Sequence, residues 1–152
     1  MQRSFVADRK LIHALEQRSI SIQCKQGHLI FKQGEACKGL YFVKSGNVSL
    51  VLAADNGLEV MQLAVGPGSL LGVPAVVSRG PYTLTAAALT DCEVGLVELA
   101  EFDDLMREQP TLFPLVLAIL AAGLRSGRLA LARMMSEQDS QSLPGPNSPL
   151  SA

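Results

Sequence analysis

Polar and apolar residues alternate along this chain with two different periods. Between Ala7 and Arg18, Leu11, Ile12 and Leu15 recur at helical spacing, with Asp8, Arg9 and Lys10 in the first turn. That spacing predicts an amphipathic helix. From Ser19 the period drops to two. SISIQC, HLIFKQ, LYFVKS, NVSLVLAA, LEVMQLAV, YTLTAAAL and CEVGLVEL are short and rich in β-branched, leucine or aromatic residues, and they predict strands. The segments KQG, KQGE, KSGN, ADNG and GPGS separate them as turns. Asp55-Asn56-Gly57 signals a hairpin, because Asn and Gly tolerate the positive φ of tight turns. Helical spacing returns in Leu99–Glu108, with Phe102, Leu105 and Met106 as its stripe, and again in QPTLFPLVLAILAAGLRSGRLALARMM. In that last helix Thr111 stands where a cap is needed, and Pro114 falls in the first turn, where a missing N–H costs little.

The order is one helix, seven or eight short strands and two C-terminal helices. Many short strands at regular spacing predict a sandwich or a barrel. The predicted domain runs over residues 5–136. The remainder, 137–152, is rich in Ser, Pro and Gly and reads as a disordered tail.

The first half of the last helix is apolar almost all round. Covering a small β-domain takes one apolar stripe. The second stripe, expected to include Leu112, Leu115, Ile119, Gly123 and Leu124, suits the same helix of a second copy across a two-fold axis. Gly123 and Gly127, four apart, leave room for another backbone. A homodimer is the expectation.

Composition narrows the chemistry. The chain has 152 residues, 48% hydrophobic and 18% charged, with a net charge of −1. This is the make-up of a globular domain without the basic stripe of a general nucleic-acid binder. Arg125, Arg128 and Arg133 read as a solvated helix face. The N-terminus lacks an apolar signal core, and the run Leu112–Leu124 is too short for a typical membrane span of about 20 residues. The expected location is the cytoplasm. Cys24, Cys37 and Cys92 form neither a disulfide framework nor a CxxC motif. Two separated histidines, His13 and His28, cannot supply a cupin-type metal cluster. No catalytic signature, metal site or cofactor is expected, and the chain is not read as an enzyme.

The stretch LIFKQGEACKGLYFVKSGNVSLVL, residues 29–52, resembles the cyclic-nucleotide-binding domain of catabolite-activator and FNR-type regulators, kinase regulatory subunits and nucleotide-gated channels. Gly34-Glu35, the apolar Leu40–Val43 and Gly46 carry the likeness, which continues through PGSLLGVPAVV, CEVGLVEL and both final helices. The resemblance implies a mainly β fold with flanking helices, built on a jelly-roll-like β-barrel. It also implies a ligand site at a cassette of short helix plus loop. In nucleotide-binding members that cassette begins Gly-Glu and ends in Arg, a small residue and Ala; the arginine pairs with the cyclic phosphate and the glutamate bonds the ribose.

Here Gly72 matches the cassette glycine, Val73 stands in the place of the glutamate, and Tyr82, Thr83 and Leu84 stand in the places of Arg, small residue and Ala. Arg79 reads as a turn residue facing solvent. Losing one member of a buried charge pair costs roughly 2–5 kcal/mol, against about 1.4 kcal/mol per tenfold in affinity. Weak or absent binding of cyclic AMP and cyclic GMP is therefore expected. The candidate pocket comprises Leu71, Gly72, Val73, Pro74, Ala75, Tyr82, Thr83 and Leu84, with Val76 and Val77 beside them. It would admit a small apolar ligand or be filled by its own side chains. After Met135 no winged helix-turn-helix is read, so direct DNA binding is not expected, and output would pass through a protein partner. The expectation is thus a stand-alone sensor module, or a ligand-free interaction domain on the same fold.

Overall fold

A computed structural model of the chain describes residues 6–123. Leu124, Gly127, the three late arginines and the 137–152 tail lie outside the described residues.

Asp8 opens helix α1 (Arg9–Glu16) by accepting a 2.8 Å hydrogen bond from the Lys10 N–H. Eight strands follow: β1 (Ile20–Cys24), β2 (Leu29–Phe31), β3 (Gly39–Ser45), β4 (Val48–Ala53), β5 (Glu59–Val65), β6 (Leu70–Leu71), β7 (Thr85–Ala88) and β8 (Cys92–Glu98). Between β6 and β7 lies the short helix α2 (Val73–Ser78). Helix α3 (Leu99–Glu108) runs directly on from β8. Helix α4 (Pro110–Gly123) begins with a 3₁₀ turn and leaves α3 at 107°. Its N-cap position is Gln109, without a side-chain bond, so Thr111 does not cap it as the sequence had suggested. The β4–β5 hairpin closes where Asn56-Gly57 predicts it. Gly57 takes φ +86°, and the Asn56 side chain accepts from the Leu58 N–H at 3.0 Å.

The strands form two four-stranded antiparallel sheets, in the orders β1-β8-β3-β6 and β2-β7-β4-β5. This corrects the expected closed β-barrel. Among the described residues no ladder joins one sheet to the other; β1 and β6 end the first, β2 and β5 the second. The pair is an open sandwich with helices against one side. The physical reason lies in the connections. Each chain passage from one sheet to the other is a turn or α2, and none continues as a bent strand paired in both sheets.

Alternation along β3 divides the interior in two. Leu40 and Phe42 face the helices, where they join Leu11 and Leu15 of α1, Phe102 and Leu105 of α3, and Val116 and Ile119 of α4. Tyr41 and Val43 face the other sheet and meet Phe31, Val48, Leu50, Ala86 and Val94. One central sheet therefore serves two cores, through the period of two that its sequence shows.

Candidate functional site

The site is best built from Gly72. Its φ of +88° lies in the left-handed region, which glycine enters without penalty. A Cβ there would stand 2.8 Å from Cε1 of Tyr82, so the tyrosine ring rests on the bare backbone. Helix α2 starts at once, its first bond running from the Val76 N–H to the Gly72 carbonyl at 3.1 Å. Pro74 fits because the first turn of a helix has no use for its missing N–H. The side chains then part. Val73 and Val76 enter the helix-facing core, while Ala75 enters the sandwich with Leu71 of β6.

Arg79 ends α2 with φ +59°, the one non-glycine residue with positive φ among the described residues. Its guanidinium pairs with Asp103 on α3. It is exposed at the turn that ends α2, and its guanidinium reaches the helical side.

Tyr82 decides the character of the site. It is 1% exposed. Its ring stacks on Phe31 with centroids 3.9 Å apart and planes 14° from parallel, and Tyr41 completes a trio at 5.5 Å from Phe31 and 6.4 Å from Tyr82. The Tyr82 hydroxyl donates to the Gly39 carbonyl at 2.8 Å and accepts from the N–H groups of Lys38 and Gly39 at 3.1 and 3.3 Å. Its backbone is held as well: the N–H donates to the Glu35 carbonyl at 3.0 Å, and the carbonyl accepts from Gly34 at 2.8 Å. Burial pushes the phenol's pKa far above its ordinary value, so the group stays neutral. Burial likewise raises that of Tyr41, with the charge of Glu35 adding to it.

The structure thus brings Leu71, Gly72, Ala75 and Tyr82 together around one point of the sandwich. Val73 is turned to the other core, Pro74 and Leu84 are half-buried, and Thr83 is exposed. Phe31 and Tyr41 belong to the site and were missed from the sequence. The available signal was scarcity: the chain has two tyrosines, and both are in this cluster. No group of three or more metal-ligating side chains occurs among the described residues.

On α4, Leu112 and Ile119 are turned into the core, and Leu115 and Gly123 are half-buried. The outward apolar positions are Phe113 and Leu117, at 37% and 39% exposure. No single helix among the described residues is long and apolar enough to cross a membrane.

An open two-sheet sandwich, a short helix inserted between β6 and β7, and helices packed on one sheet make up the fold. Residues 21–109 match the cyclic nucleotide-binding domain family, and the chain belongs to it. It is 32% identical over 113 residues to the cyclic AMP receptor protein of Thermus thermophilus, covering 74% of this chain and 52% of that one. A CRP-like cAMP-activated global transcriptional regulator of Mycobacterium tuberculosis is 26% identical, covering 82% of this chain and 55% of the relative. The chain spans about half the length of these curated relatives. Among solved structures, the Thermus thermophilus catabolite activator protein superposes with a TM-score of 0.64 at 29% identity, over 88% of this chain and 60% of that one. The c-di-GMP-responsive regulator CLP of Xanthomonas campestris shares the fold with a TM-score of 0.70 at 20% identity, over 85% and 63%. The relatives named here are a receptor protein and transcriptional regulators, and the match to the non-catalytic cyclic nucleotide-binding domain is consistent with a non-enzymatic module.

Proposed function

We propose that this chain is a regulatory module of the cyclic-nucleotide-binding fold whose nucleotide pocket is closed by its own Tyr82. One observation carries the reading. At the place where the resembling cassettes set an arginine for the phosphate, this chain sets a buried tyrosine that stacks on Phe31 and satisfies its hydroxyl on the Lys38–Gly39 backbone. With Val73 in place of the cassette glutamate, neither charged contact to a cyclic nucleotide is supplied. The module then acts through self-association and through contact with a partner protein in the cytoplasm. Phe113 and Leu117, one helical turn apart on the outer face of α4, are the positions on which a second copy would pack.

Calorimetric titration with cyclic AMP, cyclic GMP and cyclic di-GMP tests the closed pocket. No heat of binding is expected up to millimolar ligand, and micromolar binding of any of the three overturns the reading. A small apolar compound that raises the melting temperature in step with the logarithm of its concentration would instead favour a sensor whose ligand displaces Tyr82. Leu117→Asp tests the dimer face. Light scattering is expected to show a dimer for the parent chain and a monomer for the variant.

A further inference from the structure

Cys24 and Cys92 lie far apart in the sequence. The β1–β8 ladder places them directly opposite one another in register. Partners in an antiparallel ladder stand about 4.5 or 5.5 Å apart at Cα, and both spacings fall within the range that a disulfide spans. Both thiols are free and each is 4% exposed. Both belong to the core between the two sheets. They occupy the last rung of the ladder. β1 is an edge strand paired only with β8, and the rung is followed at once by Lys25 and Asp91, both solvent-exposed and 3.8 Å apart. Fraying of that end of the edge strand would let an oxidant reach the sulfurs.

We propose that Cys24 and Cys92 form a cross-strand dithiol that oxidises reversibly to a disulfide, with a peroxide or a small-molecule disulfide as oxidant. With hydrogen peroxide, the thiolate of either cysteine, Cys24 for example, attacks one oxygen. The O–O bond breaks, leaving a sulfenic acid and, after protonation, one water. The Cys92 thiolate then attacks the Cys24 sulfur, the S–S bond forms, and the hydroxyl leaves as a second water. Two thiols lose two electrons and two protons, and peroxide takes up both. Burial raises both thiols, and either sulfur can take the first step once its end of the ladder opens.

The test treats the folded full chain at pH 8 with hydrogen peroxide, or with oxidised glutathione, and maps unreduced peptides by mass. The expected product is one cross-linked pair containing Cys24 and Cys92, lighter by two hydrogens and restored by dithiothreitol. Its melting temperature should be higher by about 5–15 °C. Cys37→Ser should form the same link, and Cys92→Ser should form none. A link through Cys37, stable adducts on separate thiols, or thiols unchanged after hours would each overturn the proposal. The parent chain and Cys37→Ser decide the matter even if Cys92→Ser does not fold.

Discussion

The two cores on either side of the β1-β8-β3-β6 sheet are built from different materials. The helix-facing core is mainly aliphatic, with Leu11, Leu15, Leu40, Leu70 and Leu105 around Phe42 and Phe102. The sandwich core holds Phe31, Tyr41 and Tyr82 together with the cysteine pair. The first needs only volume and apolar surface. The second needs its polar atoms satisfied one by one, because a buried hydroxyl without partners costs more than a hydrogen bond returns. This is why one residue, Tyr82, can define a site in the sandwich while no single leucine defines one beneath the helices.

Deleting a side chain from each core gives the widest test of that contrast. Tyr82→Ala is expected to lose about 3–5 kcal/mol and Leu105→Ala about 2–5 kcal/mol in denaturant titration. The cavities should behave differently. Added p-cresol, the missing side chain as a free molecule, should raise the melting temperature of Tyr82→Ala and leave that of Leu105→Ala unchanged. Equal responses would erase the distinction.

Tyr82→Phe isolates the hydroxyl. It keeps the ring on Phe31 but leaves the Lys38 and Gly39 N–H groups without their acceptor, at an expected cost of about 1–3 kcal/mol. A cost near zero would mean that the ring alone closes the pocket.

The strands were legible in the sequence because a period of two and a turn residue at each end are local signals. Closure was not. Alternation at β3 tells which side chains share a face, but nothing local says whether β1 and β6 meet other strands or end a sheet. The expected barrel failed at that long-range step. The cassette was legible through Gly72 and the loss of its two charges. The trio was not, because Phe31, Tyr41 and Tyr82 lie on three elements whose meeting depends on how the two sheets stack. The Cys24–Cys92 rung escaped for the same reason, since no spacing rule links positions so far apart.

The cysteine rung makes the sandwich sensitive to alkali. Burial raises Cys92 from 9.0 to about 11 and raises Cys24 as well. The folded state therefore retains protons that the unfolded chain releases. Stability is complete below about pH 9 and falls as pH rises toward 11, by up to about 2–3 kcal/mol for Cys92. Under reducing conditions Cys92→Ala should flatten this part of the stability profile. An unchanged slope would assign the loss to other groups.

The smallest effect is expected on the helical side of the site. The Arg79–Asp103 pair is half-exposed, so Arg79→Ala, which keeps the Cβ and the same backbone strain, should cost no more than about 1 kcal/mol. Arg79→Gly removes the pair and relieves the backbone together, and should leave the midpoint of unfolding close to that of the parent. A large loss in Arg79→Gly would make this pair a principal fastening of α2.

Helix α2 has a consequence beyond its length. It lays Val73 and Val76 against the α3 side and Ala75 against the aromatic side, so it is a party wall between two rooms. Whatever shifts it on the aromatic side, a dislodged Tyr82 included, must also change the space available to Phe102 and Leu105. The six-residue helix Val73–Ser78 thus contributes side chains to both cores at once.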